Sequence, residues 1–175
     1  MPERFIAFGS KIRITFAAKT DHMRIVPFLL LLSCLFMGAC DKSLSPEEQL
    51  KADVEKIEKY LSDKGLTAQK TGSGLHYIIT QQGTGGSPTV SSKITIKYKG
   101  YLLDGSVFDA TLNGQSAVFP LSSLIQGWQE GIPLLKKGGK GTFFIPSGLG
   151  YGSSDQGSIP ANSVLIFEIE LINYQ

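Results

Sequence analysis

Two residues combine a polar side chain with a setting that packing alone does not explain. Tyr151 stands between Gly150 and Gly152, which puts a phenol on a loop, and Asp109 directly follows the apolar Phe108 near a strand end. Tyr98, Phe108, Trp128 and Phe167 supply aromatic surface, which a small β domain needs for its core in any case. Phe167, on an alternating strand, suits core packing. The equipment of ordinary acid–base or nucleophilic catalysis is missing. No serine has a His or Lys partner motif, and Gly138-Gly139-Lys140-Gly141 reads as a turn, since no helix start follows it to cradle a phosphate. His76, flanked by Leu75 and Tyr77, reads as a strand surface residue rather than a base. Cys34 and Cys40 both precede the globular part, and without further Cys or clustered His nothing resembles a metal site or a cofactor cradle. If the chain is an enzyme, its reaction needs little proton transfer.

The elements that position these residues are mostly strands. From Lys93 to Lys99 the alternation is complete, with Ile94, Ile96 and Tyr98 on one face and Lys93, Thr95, Lys97 and Lys99 on the other. Leu165, Phe167, Ile169 and Leu171 repeat it with Glu168 and Glu170 outward, so each strand has one wet face. Leu75–Thr80 reads as an earlier strand after the break at Thr71-Gly72-Ser73-Gly74, and Gln82 to Ser87 as a loop. Asp104-Gly105 marks a tight hairpin between Leu103 and Val107, and Lys140–Ile145 is a strand closed by Pro146. Within this region only Leu124–Leu135 looks helical, kept short by Gly131 and Pro133. Several antiparallel strands with one short apolar helix imply an α+β domain whose sheet buries a single face.

Four blocks carry a family resemblance: IKYKGYLLDGSVFD (Ile96 to Asp109), FPLSSLIQGWQEGI (Phe119 to Ile132), FFIPSGLGYG (Phe143 to Gly152) and IPANSVLIFEIEL (Ile159 to Leu171). In this order they resemble the FKBP-type peptidyl-prolyl isomerases, most closely the bacterial branch that includes the macrophage infectivity potentiator proteins. The resemblance covers about residues 71–175 and implies a curved antiparallel sheet wrapped around one short helix. It also implies a reaction of the right kind. Rotating an X–Pro peptide bond means losing amide resonance, a barrier of about 18–20 kcal/mol. A dry pocket that disfavours the planar, dipolar amide lowers that barrier without acid, base or nucleophile.

By resemblance the pocket falls on Tyr98, Phe108, Asp109, Leu124, Ile125, Trp128, Tyr151, Ile159 and Phe167. Trp128 is the implied floor, Tyr98, Phe108 and Phe167 the walls, and Leu124, Ile125 and Ile159 the mouth. The Tyr151 hydroxyl and the Ile125 N–H are the implied donors to substrate carbonyls, and Asp109 either orients a wall tyrosine or faces the twisting carbonyl. Two departures open the rim and count against macrolide affinity. Ala117 stands where many eukaryotic members carry an aromatic, and Ser153–Ser158 is a short loop without an aromatic or His tip. Phe119 reads as core rather than rim. The implied partners are proline-containing polypeptides, to be isomerised or, in the alternative, bound by a chaperone or adaptor without turnover.

The charge pattern excludes one class. Of the 17 basic residues, Arg4, Lys11, Arg13, Lys19 and Arg24 all precede Cys40, and the chain beyond it is near neutral and lacks arginine. No nucleic-acid surface is expected from that composition. Residues 1–39 read as a leader: Arg24, an apolar run from Ile25 to Phe36 too short to span a bilayer, then Gly38 and Ala39. The sequence MGAC resembles the lipobox of bacterial lipoproteins, with Cys40 lipidated and residues 40–44 as an anchored linker; cleavage without a lipid is the alternative. Asp41 resembles an inner-membrane retention signal of some bacteria. The long positive stretch before the apolar run suggests translation from Met23. These features together place the protein in a bacterial envelope, membrane-anchored and facing the periplasm or exterior.

Residues 45–70 read as an N-terminal helix and its linker. Ser45 can cap, Pro46 suits the first turn, Glu48 can bond back, and Gly65 fits the stop. Leu50, Val54, Ile57 and Leu61 share one face, which either packs on the neighbouring domain or pairs with a second copy as a homodimer.

Overall fold

A computed structural model describes residues 44–112 and 114–175. The leader expected over 1–39, the lipobox with Cys40 and the linker up to residue 43 lie outside the described residues. The first element, α1 (Pro46–Asp63), begins on a full capping box. The Glu48 N–H donates to Ser45 Oγ at 3.3 Å, and the Ser45 N–H donates to the Glu48 carboxylate at 2.9 Å. Two of the helix's otherwise orphaned donors are thereby satisfied. At the other end Gly65 takes φ +63° and the Leu66 N–H returns to the Leu61 carbonyl at 2.8 Å, a left-handed stop of the kind glycine allows.

Seven strands follow in one antiparallel sheet: β1 (Gln69–Lys70), β2 (His76–Gln81), β3 (Lys93–Leu102), β4 (Val107–Ala110), β5 (Ala117–Pro120), β6 (Lys140–Ile145) and β7 (Leu165–Tyr174). The spatial order is β1-β2-β6-β7-β3-β4, and β5 pairs with β3 along its first half while β4 pairs along its second. The long central strands β3 and β7 start from the two alternating stretches and continue to Leu102 and Tyr174. Two pieces were not expected from the sequence. β1 is only two residues, and β5 lacks the run of alternation that would announce it.

The front of the sheet wraps α2 (Gln126–Gly131), which is followed by a 3-10 turn at Ile132–Leu134. The helical stretch is thus shorter than the expected Leu124–Leu135, because Leu124 and Ile125 are extended and Pro133 tightens the exit. Leu75, Ile94, Ile96, Phe143, Ile145, Leu165, Ile169 and Leu171 form the core around Trp128, Ile132 and Leu135.

The sheet does not bury a single face, as its pattern suggested. On the back, Ile57 and Leu61 of α1 close over Phe144, Val164 and Ile166, with Tyr60, Ile78 and Tyr101 around them. Burying each such aliphatic side chain is worth about 1.5–3 kcal/mol. Of the two fates considered for the α1 stripe, Ile57 and Leu61 take the intramolecular one. Val54 is half-buried beside Gly74, and Leu50 remains 37 % exposed. The same docking corrects the reading of His76 as a surface residue. Its ring is buried, Nδ1 lies 2.9 Å from the Gly74 carbonyl, and Nε2 faces Glu58 of α1 at 3.7 Å. Glu58 also accepts from Lys70 at 3.1 Å, which fastens α1 to β1.

Candidate functional site

The site is built where α2 meets the front of the sheet. Ile125 is the residue before the helix, with φ −58° and ψ 150°. Its carbonyl accepts the Trp128 and Gln129 N–H groups at 3.0 and 3.2 Å. Gln129 reaches back to the Leu124 carbonyl at 2.7 Å, so a six-residue helix keeps a fixed entry despite having no side-chain cap. It lies tight on β6 because Gly131 offers no side chain. A Cβ there would meet Phe143 Cδ1 at 2.8 Å.

Trp128 is thereby held at the bottom of a cavity of about 350 Å³, itself only 5 % exposed. Its ring stands 5.1 Å from Tyr98 at 79° and 5.0 Å from Phe167 at 86°, and Phe108 stands 5.4 Å from Phe167 at 83°. Such edge-to-face contacts suit the ring quadrupoles and are worth about 0.5–1.5 kcal/mol each beyond area burial. The indole Nε1 is buried and has no hydrogen-bond partner among the described residues.

Tyr98 is fixed at both ends. Its N–H donates to Thr111 Oγ1 at 3.1 Å and its carbonyl accepts the Thr111 N–H at 3.0 Å, locking β3 to the end of β4. Its hydroxyl donates to Asp109 Oδ2 at 2.6 Å. Of the two roles considered for Asp109, the geometry places it on the wall tyrosine. Burial pushes the Tyr98 phenol well above the ordinary tyrosine range, and the Asp109 carboxylate that accepts its proton adds to the shift. Tyr98 is therefore a neutral donor throughout the physiological range.

Tyr151 lies on the loop after β6, 40 % exposed, and faces the same cavity. The residues on either side of it, Gly150 and Gly152, donate their N–H groups to the Ser147 carbonyl at 2.9 and 2.8 Å. Further along the same loop, Gln156 and Ile159, which also line the cavity, exchange N–H···O bonds of 2.9 and 3.1 Å that turn the loop back on itself.

The cavity brings together all nine residues singled out from the sequence: Tyr98, Phe108, Asp109, Leu124, Ile125, Trp128, Tyr151, Ile159 and Phe167. It also takes in three that sequence reasoning passed over, Phe119, Gln156 and Ser158. Phe119 was read as core, but β5 pairs at the edge of β3 and leaves it half-buried against the Tyr98 ring at 6.5 Å. Gln156 and Ser158 belong to the loop read as an open rim. Nothing periodic in that loop marks which side chains turn inward, so no sequence signal pointed to them. Among the described residues Asp109 is the only carboxylate lining the cavity. Among the described residues no cluster that could hold a metal ion is present, and the lining is chiefly aromatic and aliphatic.

The family model of the FKBP-type peptidyl-prolyl cis-trans isomerases matches residues 85–172, about half of the chain, taking in β3 to β6 and β7 as far as Ile172. The chain belongs to that family. The probable FKBP-type isomerase FkpA of Neisseria meningitidis serogroup B is 44 % identical over 126 residues, covering 70 % of this chain and 46 % of the relative. FkpA of Aeromonas hydrophila is 39 % identical over 141 residues, covering 75 % and 53 %. The chain thus spans about half the length of the curated relatives it matches. Among solved structures, a peptidyl-prolyl isomerase from Pseudomonas syringae pv. tomato superposes with a TM-score of 0.64 at 30 % identity, covering 76 % of this chain and 98 % of that one. Crystalline FkpA from Escherichia coli gives 0.64 at 28 % identity, covering 90 % and 83 %. The FKBP match begins at residue 85, so α1, β1 and β2 lie before it.

Proposed function

We propose that the protein is a peptidyl-prolyl cis-trans isomerase that assists the folding of proline-containing polypeptides in a bacterial envelope. The observation that carries this is the indole of Trp128 at the base of an aromatic cavity whose one carboxylate is already bonded to a wall tyrosine. A proline ring laid on Trp128 is enclosed by Tyr98, Phe108 and Phe167, and its imide sits where water is largely excluded. The planar imide, stabilised by charge separation, loses more on leaving water than the twisted form does. Each 1.36 kcal/mol of difference between them is about tenfold in rate.

Two donors supply orientation in this reading. The Ile125 N–H precedes α2 and makes no hydrogen bond within the described residues, so it is free to hold a substrate carbonyl. The Tyr151 hydroxyl, which lines the same cavity, takes a second. Asp109 holds Tyr98 in place, and no proton need move.

A protease-coupled assay of cis-to-trans conversion on residues 41–175 tests the proposal. Acceleration that Trp128→Leu removes is the expected result. Peptide binding without acceleration sinks the catalytic reading and leaves a proline-binding module.

Membrane attachment in this proposal rests on Cys40, lipidated after processing at MGAC, as in the lipoprotein branch that the leader resembles. Among the described residues no helix is long and apolar enough to cross a membrane. Palmitate should label the wild type and not Cys40→Ala; an unlabelled wild type removes the anchor. A homodimer through the α1 stripe is not part of the proposal, since Ile57 and Leu61 are buried within the chain.

A further inference from the structure

The side chain of Asp53, on α1, is fully buried, and its carboxylate faces the loop that carries Tyr151. Oδ2 accepts the Ser147 N–H at 2.9 Å and the Ser147 hydroxyl at 2.5 Å. Oδ1 accepts from Gln49 Nε2 at 2.7 Å and Lys56 Nζ at 3.3 Å. A buried carboxylate is tolerated only when its lone pairs are taken up in this way, and here four donors from two distant parts of the chain converge on it.

Ser147 opens the 3-10 turn Ser147–Leu149, and its N–H is one of the donors that such a turn leaves without an internal partner. The residue before it is Pro146, whose side chain makes no capping bond. Asp53 supplies the missing cap from another element. The same Ser147 then presents its carbonyl to the N–H groups of Gly150 and Gly152, on either side of Tyr151. The Gly152 carbonyl in turn accepts the Asn162 N–H at 2.8 Å. A continuous run of hydrogen bonds therefore leads from the N-terminal helix to the backbone that flanks the cavity's exposed phenol.

We propose that Asp53 is a positioning residue for Tyr151: by capping the Ser147 turn from α1 it fixes where the Tyr151 hydroxyl stands over the cavity. The inference rests on the isomerase reading of that cavity. It makes α1, which precedes the family match, a working part of the site rather than a tether.

The test uses the full-length protein and compares Asp53→Ala, Asp53→Asn, Ser147→Ala and Tyr151→Phe with the double variant Asp53→Ala/Tyr151→Phe. Assays are run well below each variant's unfolding temperature. Asp53→Ala is expected to lower kcat/KM about tenfold in the wild-type background and less than about twofold in the Tyr151→Phe background, because residues acting through one group are not additive. Asp53→Asn keeps an oxygen for Ser147 and should recover most of the loss. Equal losses in both backgrounds, or full activity in folded Asp53→Ala, overturn the proposal.

Amide exchange at Gly150 and Gly152 gives a readout that does not depend on turnover. It should quicken in Asp53→Ala while the β3 and β7 amides keep their rates; unchanged exchange at the two glycines overturns the proposal. If the wild type shows no isomerase activity, the parent reading falls, and the exchange result alone decides whether Asp53 orders the loop. If Asp53→Ala does not fold, Ser147→Ala, which removes one of the two bonds to Asp53, carries the same comparison with a smaller effect.

Discussion

The Tyr98 hydroxyl donates to Asp109 at 2.6 Å across the pair of β3 and β4, so the cavity's carboxylate is engaged before any substrate arrives. Both groups line the cavity. Asp109 is exposed, so Asp109→Asn should leave the fold intact while loosening Tyr98. We expect kcat/KM to fall about three- to tenfold, with Tyr98→Phe giving a similar loss and the double variant no more than either single one. Independent losses in the double variant would show that the two side chains act separately.

The raised Tyr98 phenol has a signature in alkali. A tyrosine that ionises later in the folded protein than in the unfolded chain contributes stability that is complete below the ordinary tyrosine range, about pH 10. That contribution is lost as pH rises from there toward the folded value. Tyr101, pushed up by burial and by Glu168, behaves alike. In a phenolate absorbance titration, Tyr98→Phe and Tyr101→Phe should each remove amplitude from the late, unfolding-linked phase. Loss of amplitude from the early phase would contradict this.

Trp128 is both floor and core, which dictates how it should be altered. Trp128→Ala in a site this buried is expected to remove about 3–5 kcal/mol, a large part of the stability of a domain of this size. Trp128→Leu retains apolar volume and should keep the fold while lowering turnover at least about tenfold. Because Trp128 is the sole tryptophan, its fluorescence should shift on adding a proline peptide. A silent spectrum at saturating peptide would place the binding site elsewhere.

Gly100 tests the cavity from outside its lining. A Cβ at this position of β3 would meet Phe108 Cε2 at 2.6 Å and Phe167 Cε1 at 2.7 Å, two of the walls. Gly100→Ala should therefore displace both rings, destabilise by about 1–3 kcal/mol as overpacking does, and weaken turnover. Wild-type kinetics in this variant would mean that the wall positions do not matter to the reaction.

The back of the sheet predicts a separate energetic effect. Ile57→Ala empties a fully buried position against Phe144 and Ile166 and should cost about 2–5 kcal/mol. Thermal unfolding checks it. A change within about half a kcal/mol, as surface substitutions give, would mean that α1 is not docked in solution.

Much of this molecule can be read from local pattern. The alternation of Ile94, Ile96 and Tyr98, and of Leu165, Phe167, Ile169 and Leu171, specifies two strands with a buried face, since a period of two has only one way to hide its apolar set. Ser45, Pro46 and Glu48 specify the start of α1 because capping is a matter of adjacent atoms. Nine of the residues that line the cavity were legible through the family resemblance that four ordered sequence blocks carry, whereas Phe119, Gln156 and Ser158 were not.

Whatever depends on distant segments meeting was decided by the tertiary structure alone. β1 and β5 are strands because their partners β2 and β3 are already extended, not because of their own residues. His76 is buried because α1 folds over it, and Phe119 reaches the cavity because β5 lies at an edge. The pairing of Asp53 with Ser147 spans 94 residues of chain, and no periodicity encodes a contact of that range. Side-chain pattern sets which face of an element seeks cover, whereas the identity of the covering group follows from the packing of the whole chain.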